Sequence, residues 1–177
     1  IKFWGNILSQ PSRMLSYIFE RFDIEHEYIH TEILDGTKTE EYLKNVNHRG
    51  LLPVISIDGV HILESLSNAR FLLDTFDKDE VLLPRNDRKT RAKIEAMMDI
   101  WGNFIRPKFG KAYKRMKIDN THGDKQDPTE EEKQELMDGV YEALDYIEQT
   151  LKDSSFLITE YITIADIQVY DELTSVW

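Results

Sequence analysis

The chain has 177 residues, no cysteine and a formal net charge of −11, with 41% hydrophobic and 31% charged residues. These values fit one or two modest globular domains, and they exclude a disulfide scaffold, a thiolate metal site, a CxxC redox pair and a cysteine nucleophile. The acidic balance argues against nucleic acid as a partner. The 5 scattered histidines argue against a metal site, and the lack of an apolar run of ~20 residues argues against a membrane span.

In chain order, Lys2 to Trp4 reads as a short strand. From Pro11 to Phe22, Met14, Leu15, Ile18, Phe19 and Phe22 fall on one face at helical spacing, with Pro11 suited to a first turn. His26 to Ile33 alternates as a strand, and Thr39 to Val46 reads as a short helix. Val54–Ile57 and Val60–Ile62, joined by Asp58-Gly59, predict a β-hairpin, because both turn positions need positive φ. From Glu64, the spacing of Leu66, Ala69, Leu72, Leu73 and Phe76 predicts another helix.

Residues 77–88 are polar around one Leu-Leu-Pro anchor and read as a linker; everything beyond is helical. Ile94, Met97, Met98, Trp101, Phe104 and Ile105 share a face, and Pro107 should bend that helix. Residues 118–127 read as a loop. Asp127-Pro128-Thr129-Glu130 then reads as a helix start, with a capping Asp, Pro at the first position and Glu at the third. Leu136, Val140, Leu144, Ile147 and Leu151 follow at near-heptad spacing. Thr163-Ile164-Ala165-Asp166 is a capping box in its Asp form, flanked by Ile162 and Ile167 as a hydrophobic staple. The expected architecture is an α/β first domain of order βαβ-α-ββα over residues 1–76, a linker over 77–88 and an all-helical domain over 89–177.

Charge is unevenly spread: residues 85–117 carry a local +8 and residues 118–177 a local −13. A solvated helix face accounts for most of the basic residues.

Three places carry candidate chemistry. Ser9 joins the first strand to the first helix, where backbone N–H groups and the helix dipole favour an anion. On spacing alone a plain helix cap is the favoured reading. Leu52-Pro53 precedes the hairpin; it is either a strand boundary or a cis-proline that leaves the Leu52 backbone free to pair with an extended ligand. Glu64-Ser65 opens a helix and is either a capping pair or a clamp for an amino-acid head group, with Glu64 for the ammonium and Ser65 for the carboxylate. Together the three would hold an extended tripeptide with a central thiol.

These residues carry a resemblance to the cytosolic glutathione transferases, and to their theta class most of all. The matching text is Ile7 to Arg13 with the helix Met14 to Phe19, then Asn47, Gly50 and Leu52-Pro53, then Glu64-Ser65 with Arg70. In the second half it is Trp101, Ile105-Arg106-Pro107-Lys108-Phe109-Gly110 and the Thr163–Asp166 box. The resemblance implies a thioredoxin-like glutathione-binding domain and an all-α helical-bundle domain, the latter truncated at its C-terminus. It implies a cytoplasmic, homodimeric detoxification enzyme with glutathione as cosubstrate, and neither a metal, nor a nucleic-acid partner, nor a membrane.

Ser9 would be the catalytic hydroxyl, donating to the glutathione thiolate. Gln10 would help position the tripeptide, Leu52 and Pro53 would present the backbone that pairs with the cysteinyl residue, and Glu64 and Ser65 would hold the γ-glutamyl end. Lys38 would bind the glycyl carboxylate. Leu51 stands at the family's glycyl-binding Lys, with Arg49 as a substitute for that contact. Asn103 and Arg106 would border the second-substrate cleft, Arg106 lending positive potential to an anionic cosubstrate. Ser67 and Asn68 replace an apolar Ala-Ile pair. Two other functions fit such a fold: a non-catalytic assembly module, and a carrier of apolar ligands using Met97, Met98, Trp101 and Phe104.

Overall fold

The computed structural model describes residues 1–118 and 127–174 and divides the chain into two compact units, Ile1–Asp87 and Arg88–Trp177. The loop expected over 118–127 lies outside the described residues except at its two ends.

The first unit carries β1 (Lys2–Gly5), α1 (Gln10–Arg21), β2 (Glu27–His30), α2 (Glu40–Asn45), β3 (Val54–Ile57), β4 (Val60–Ile62) and α3 (Ser65–Phe76). The sheet order is β2-β1-β3-β4, with β1 parallel to β2 and β3 antiparallel to both β1 and β4. Asp58 and Gly59 have φ of 50° and 81°, the geometry a two-residue hairpin requires. The apolar faces of α1 and α3 supply the core: Met14, Leu15, Ile18, Phe19, Ala69, Leu72 and Leu73 are buried with Phe3, Val54 and Ile55. Phe3 stacks on Phe19, their centroids 5.0 Å apart, and His26 stacks on Phe19 at 4.0 Å. The expected face of α1 therefore holds, except that Phe22 leaves the helix and is only half-buried.

β2 is shorter than the alternation predicted. It ends at His30, and Ile33 is exposed. Gly36 and Thr37 N–H turn back to the Glu32 carbonyl at 3.0 Å each, so chain reversal overrides the apolar pattern there. Residues 77–87 fold as part of the first unit. The buried Asp77 carboxylate accepts from Val81 and Leu82 N–H at 2.9 and 2.8 Å, and Arg85 donates to the Asp74 and Lys78 carbonyls.

In the second unit, α4 (Arg88–Ile100) runs into a π-helical turn, Trp101–Ile105, and then α5 (Arg106–Tyr113) and a second π turn, Lys114–Ile118. Pro107 has no N–H for the Asn103 carbonyl and its ring crowds that carbonyl. The strain is absorbed by widening the turn, and Arg106 N–H reaches back five residues to the Trp101 carbonyl. Ile94, Met97, Met98, Trp101 and Ile105 are buried as the shared face predicts; Phe104 is half-buried and meets Tyr146 edge-on at 5.7 Å.

Helix α6 (Glu130–Leu151) is capped by Thr129 rather than Asp127. The Thr129 hydroxyl accepts from Glu132 N–H at 3.2 Å. Glu130, Glu131 and Glu132 then fill the first turn, where the dipole favours them. Leu136, Val140, Ala143 and Ile147 are its buried stripe. Helix α7 (Ile164–Leu173) starts at the expected capping box, although Ile162 remains exposed while Ile167 is buried. Among the described residues, no helix is long and apolar enough to cross a membrane.

Candidate functional site

Strand register brings the three candidate places of the first unit to one end of the sheet. Ser9 lies just beyond the end of β1. Pro53 immediately precedes Val54, which pairs with Trp4 near that end. Glu64 follows β4, whose last residue Ile62 pairs with Ile55. The segment after β2 that carries Lys38 leaves from the same end, since Gly5 pairs with His30.

The loop before α1 is pinned by Asn6, which sequence reasoning missed. Its buried amide donates to the Thr31 carbonyl at 3.1 Å, and its Oδ1 accepts from Leu8 N–H at 3.0 Å. Ser9 N–H donates to the Asn6 carbonyl at 2.9 Å, so the serine backbone is fixed. Ser9 occupies the cap position of α1 with extended backbone, yet its hydroxyl makes no capping hydrogen bond. A capping serine normally spends its oxygen on N–H groups of the first turn. This half-buried hydroxyl is instead left to other partners. Gln10 follows as the first residue of the helix.

Leu52-Pro53 is a cis peptide bond, so the boundary reading gives way to the bend. Pro53 is buried, and among the described residues neither the N–H nor the carbonyl of half-buried Leu52 has a hydrogen-bond partner. The residue before it is held firmly: the Leu51 carbonyl accepts from the Tyr42 hydroxyl at 2.8 Å and the Asn47 amide at 3.0 Å, while the Leu51 side chain is 46% exposed. Burial pushes the Tyr42 hydroxyl up to about 12, so it stays a donor at neutral pH. The Lys38 ammonium donates to the Arg49 and Gly50 carbonyls, both at 3.1 Å. Two of its three protons are thus committed within the chain and one is left over.

Glu64 has φ of 67°, uncommon for a residue with a side chain, and caps α3 without a side-chain bond to it. Its carboxylate pairs instead with the Arg49 guanidinium, and the two side chains are 63% and 54% exposed. Arg49 therefore lies with Glu64 rather than free for a glycyl carboxylate. Ser65 opens α3 half-buried, its hydroxyl without a partner among the described residues. Deeper on α3, Asn68 is fully buried and, among the described residues, neither polar atom of its amide has a hydrogen-bond partner.

In the second unit, Asn103 is exposed on the π turn. Arg106 donates to the buried Glu172 carboxylate at 2.9 Å and lies 5.2 Å from the centre of the Trp101 ring. Its charge is thereby largely offset. Three further basic residues meet α6 in an antiparallel ladder: Lys108 with Glu142, Lys111 with Glu135 and Arg115 with Glu132. The ladder pairs part of the opposed local charges of the sequence across two packed helices. Met97, Met98 and Trp101 are buried in the helical core. Among the described residues, no cluster of three or more His, Asp or Glu is placed to hold a metal ion.

Residues 95–176 match the glutathione S-transferase C-terminal domain. Glutathione S-transferase F6 of Arabidopsis thaliana is 24% identical over 168 residues, covering 94% of this chain and 79% of the relative. Glutathione S-transferase F14 of the same plant is 29% identical over 166 residues, covering 93% of this chain but only 62% of its own length. Human glutathione transferase theta-2, solved in complex with glutathione, superposes with a TM-score of 0.89 at 23% identity, over 98% of this chain and 70% of that one. The likeness to glutathione S-transferases thus lies in residues 95–176 in sequence and in the fold over nearly the whole chain.

Proposed function

We propose that this chain binds glutathione in its first unit and conjugates it to small electrophiles, as a serine-type transferase of theta-like character. The observation that carries the reading is the Ser9 hydroxyl, fixed at the cap of α1 yet not capping it. A free thiol with a pKa of about 8.5 is mostly protonated at neutral pH. A hydroxyl donor beside a helix N-terminus favours the thiolate, which is the nucleophile. The thiol proton leaves to solvent and the thiolate sulfur forms a thioether with the electrophilic carbon; chloride departs from a chloroarene with the electron pair of the broken bond, whereas an epoxide oxygen keeps that pair, stays on the product and takes a proton from solvent.

The unpaired N–H and carbonyl of Leu52 suit the cysteinyl backbone as an added strand does. Gln10 helps position the tripeptide, Glu64 and Ser65 suit the γ-glutamyl head group, and the spare Lys38 proton suits the glycyl carboxylate beside Leu51. In this reading the protein is a cytoplasmic homodimer, with Asn103 and Arg106 bordering the second-substrate cleft. Conjugation of glutathione to a chlorinated nitroarene and to an epoxide, followed with the full chain and with Ser9→Ala, tests it. Activity that depends on glutathione and falls in the variant is the expected result; no glutathione binding by the full chain would overturn it.

A further inference from the structure

We infer that Arg49 is a specificity-determining residue of the glutathione site: its ion pair with Glu64 opens to take in the γ-glutamyl zwitterion, Glu64 receiving the ammonium and Arg49 the α-carboxylate. This rests on the glutathione reading above. It moves Arg49 from the glycyl end, where its place in the sequence suggested it, to the opposite end of the tripeptide.

Three observations carry it. First, the Arg49 backbone is unusually well fixed for an exposed arginine. Its N–H donates to Asn47 Oδ1 at 3.0 Å, its carbonyl accepts from Lys38 Nζ at 3.1 Å, and the next carbonyl accepts from the same ammonium at 3.1 Å. Gly50, at φ 63°, makes this possible: a Cβ there would lie 2.6 Å from Lys38 Nζ. Holding the arm in place before the ligand arrives reduces the ordering cost of binding. Second, the Glu64 carboxylate turns away from the helix it caps and toward Arg49, on a backbone at φ 67°. Such a conformation is costly and persists where the surroundings impose it, as at ligand clamps. Third, both side chains of the pair are more than half exposed, so solvent screens the pair and it opens cheaply.

The charge arithmetic favours a zwitterion over any singly charged ligand. One ion pair is exchanged for two when an ammonium and a carboxylate enter together, and no charge is left unpartnered. A ligand with only the ammonium takes Glu64 and strands Arg49; one with only the carboxylate strands Glu64. Ser65 N–H, at the start of the 12-residue helix α3, adds a second donor for the same carboxylate.

The test is calorimetric titration of the full chain, Arg49→Gln, Arg49→Lys and Glu64→Gln with three ligands. These are glutathione, the analogue lacking the α-carboxylate (4-aminobutyryl-cysteinyl-glycine) and the analogue lacking the α-amino group (glutaryl-cysteinyl-glycine). The inference predicts that Arg49→Gln weakens glutathione about tenfold, equivalent to ~1.4 kcal/mol, and does not weaken the decarboxylated analogue. Arg49→Lys should recover part of the loss, and Glu64→Gln should weaken glutathione but not the glutaryl analogue. Equal or tighter glutathione binding by Arg49→Gln, or equal weakening of both ligands, would overturn the role of Arg49 while leaving the glutathione reading in place. No glutathione binding by the unaltered chain would overturn both.

Discussion

Replacing Asp166 with alanine should cost the second unit a large part of its stability. The Asp166 carboxylate accepts three hydrogen bonds: from Thr163 N–H at 2.8 Å and Thr163 Oγ1 at 2.7 Å through Oδ2, and from Leu157 N–H at 2.8 Å through Oδ1. Thr163 is fully buried and Leu157 nearly so. Alanine therefore strands two buried N–H donors, each costing about 1–3 kcal/mol, and loses bonds strengthened by the carboxylate charge. Partial access of water to half-buried Asp166 trims the sum, and a loss of ~2–4 kcal/mol is expected. Against a total of about 5–15 kcal/mol for a typical native protein, that is decisive. With a urea dependence of about 1–3 kcal/mol per molar, the midpoint should fall by roughly 1–2 M. Amides of α7 should exchange fastest, because helix and box separate together. Asparagine should do little better than alanine, since its NH2 would face an N–H donor. A midpoint shift below ~0.3 M in Asp166→Ala would refute the reasoning.

Arg115→Ala should cost about 1–2 kcal/mol and Lys111→Ala close to nothing by urea denaturation. The former breaks a fork of 2.6 and 2.9 Å on Glu132 with the arginine largely buried, the latter a 3.4 Å pair between well-exposed side chains; equal effects would count against the ladder as described. Tyr42 titrates higher in the folded chain, at about 12, than in the unfolded chain at ~10. The neutral phenol thus adds stability that is fully present below pH ~10 and lost as pH rises toward about 12. Melting scans should show this alkaline loss in the parent chain and less of it in Tyr42→Phe. Asn68→Leu should raise stability by about 1–3 kcal/mol, as a fully buried amide without partners is replaced by an apolar group of similar size; a loss instead would mean that buried water satisfies the amide.

The order βαβ-α-ββα, the hairpin at Asp58-Gly59 and the capping box at Thr163–Asp166 were legible in the sequence because each is set by residues within a few positions. The cap of α6 shows the limit of such local reading. Asp127 and Thr129 both suit a cap by type, and the hydroxyl that meets Glu132 N–H decides between them. At the site, Ser9, the Leu52 backbone and Glu64-Ser65 are visible as candidates, but spacing alone favours a plain cap at Ser9 and a strand boundary at Leu52-Pro53, and leaves Glu64-Ser65 even with a capping pair. What separates the alternatives is long-range. The cis geometry at Leu52-Pro53 goes with a neighbouring carbonyl fixed by Tyr42 and Asn47, and the free Ser9 hydroxyl with a loop anchored by Asn6 across 25 residues. The partners of Arg49 and Arg106 lie 15 and 66 residues away, and no local pattern points to either. Both arginines therefore looked more available for ligands in the sequence than they are in the fold.

The central claim, that Ser9 stabilises a glutathione thiolate, is tested most directly by the pH dependence of conjugation in Ser9→Ala beside its folding stability. A hydrogen bond to a charged group is worth about 1.5–3 kcal/mol, or ~1–2 pKa units. The account predicts that kcat/KM at pH 7 falls about 10–100-fold and that its pH midpoint moves up by ~1–2 units. Glutathione affinity should change little, and stability should be lost by less than ~0.5 kcal/mol, because the hydroxyl does not cap α1. An unchanged pH profile, together with a stability loss of ~1 kcal/mol or more, would contradict the account and leave Ser9 as a helix cap.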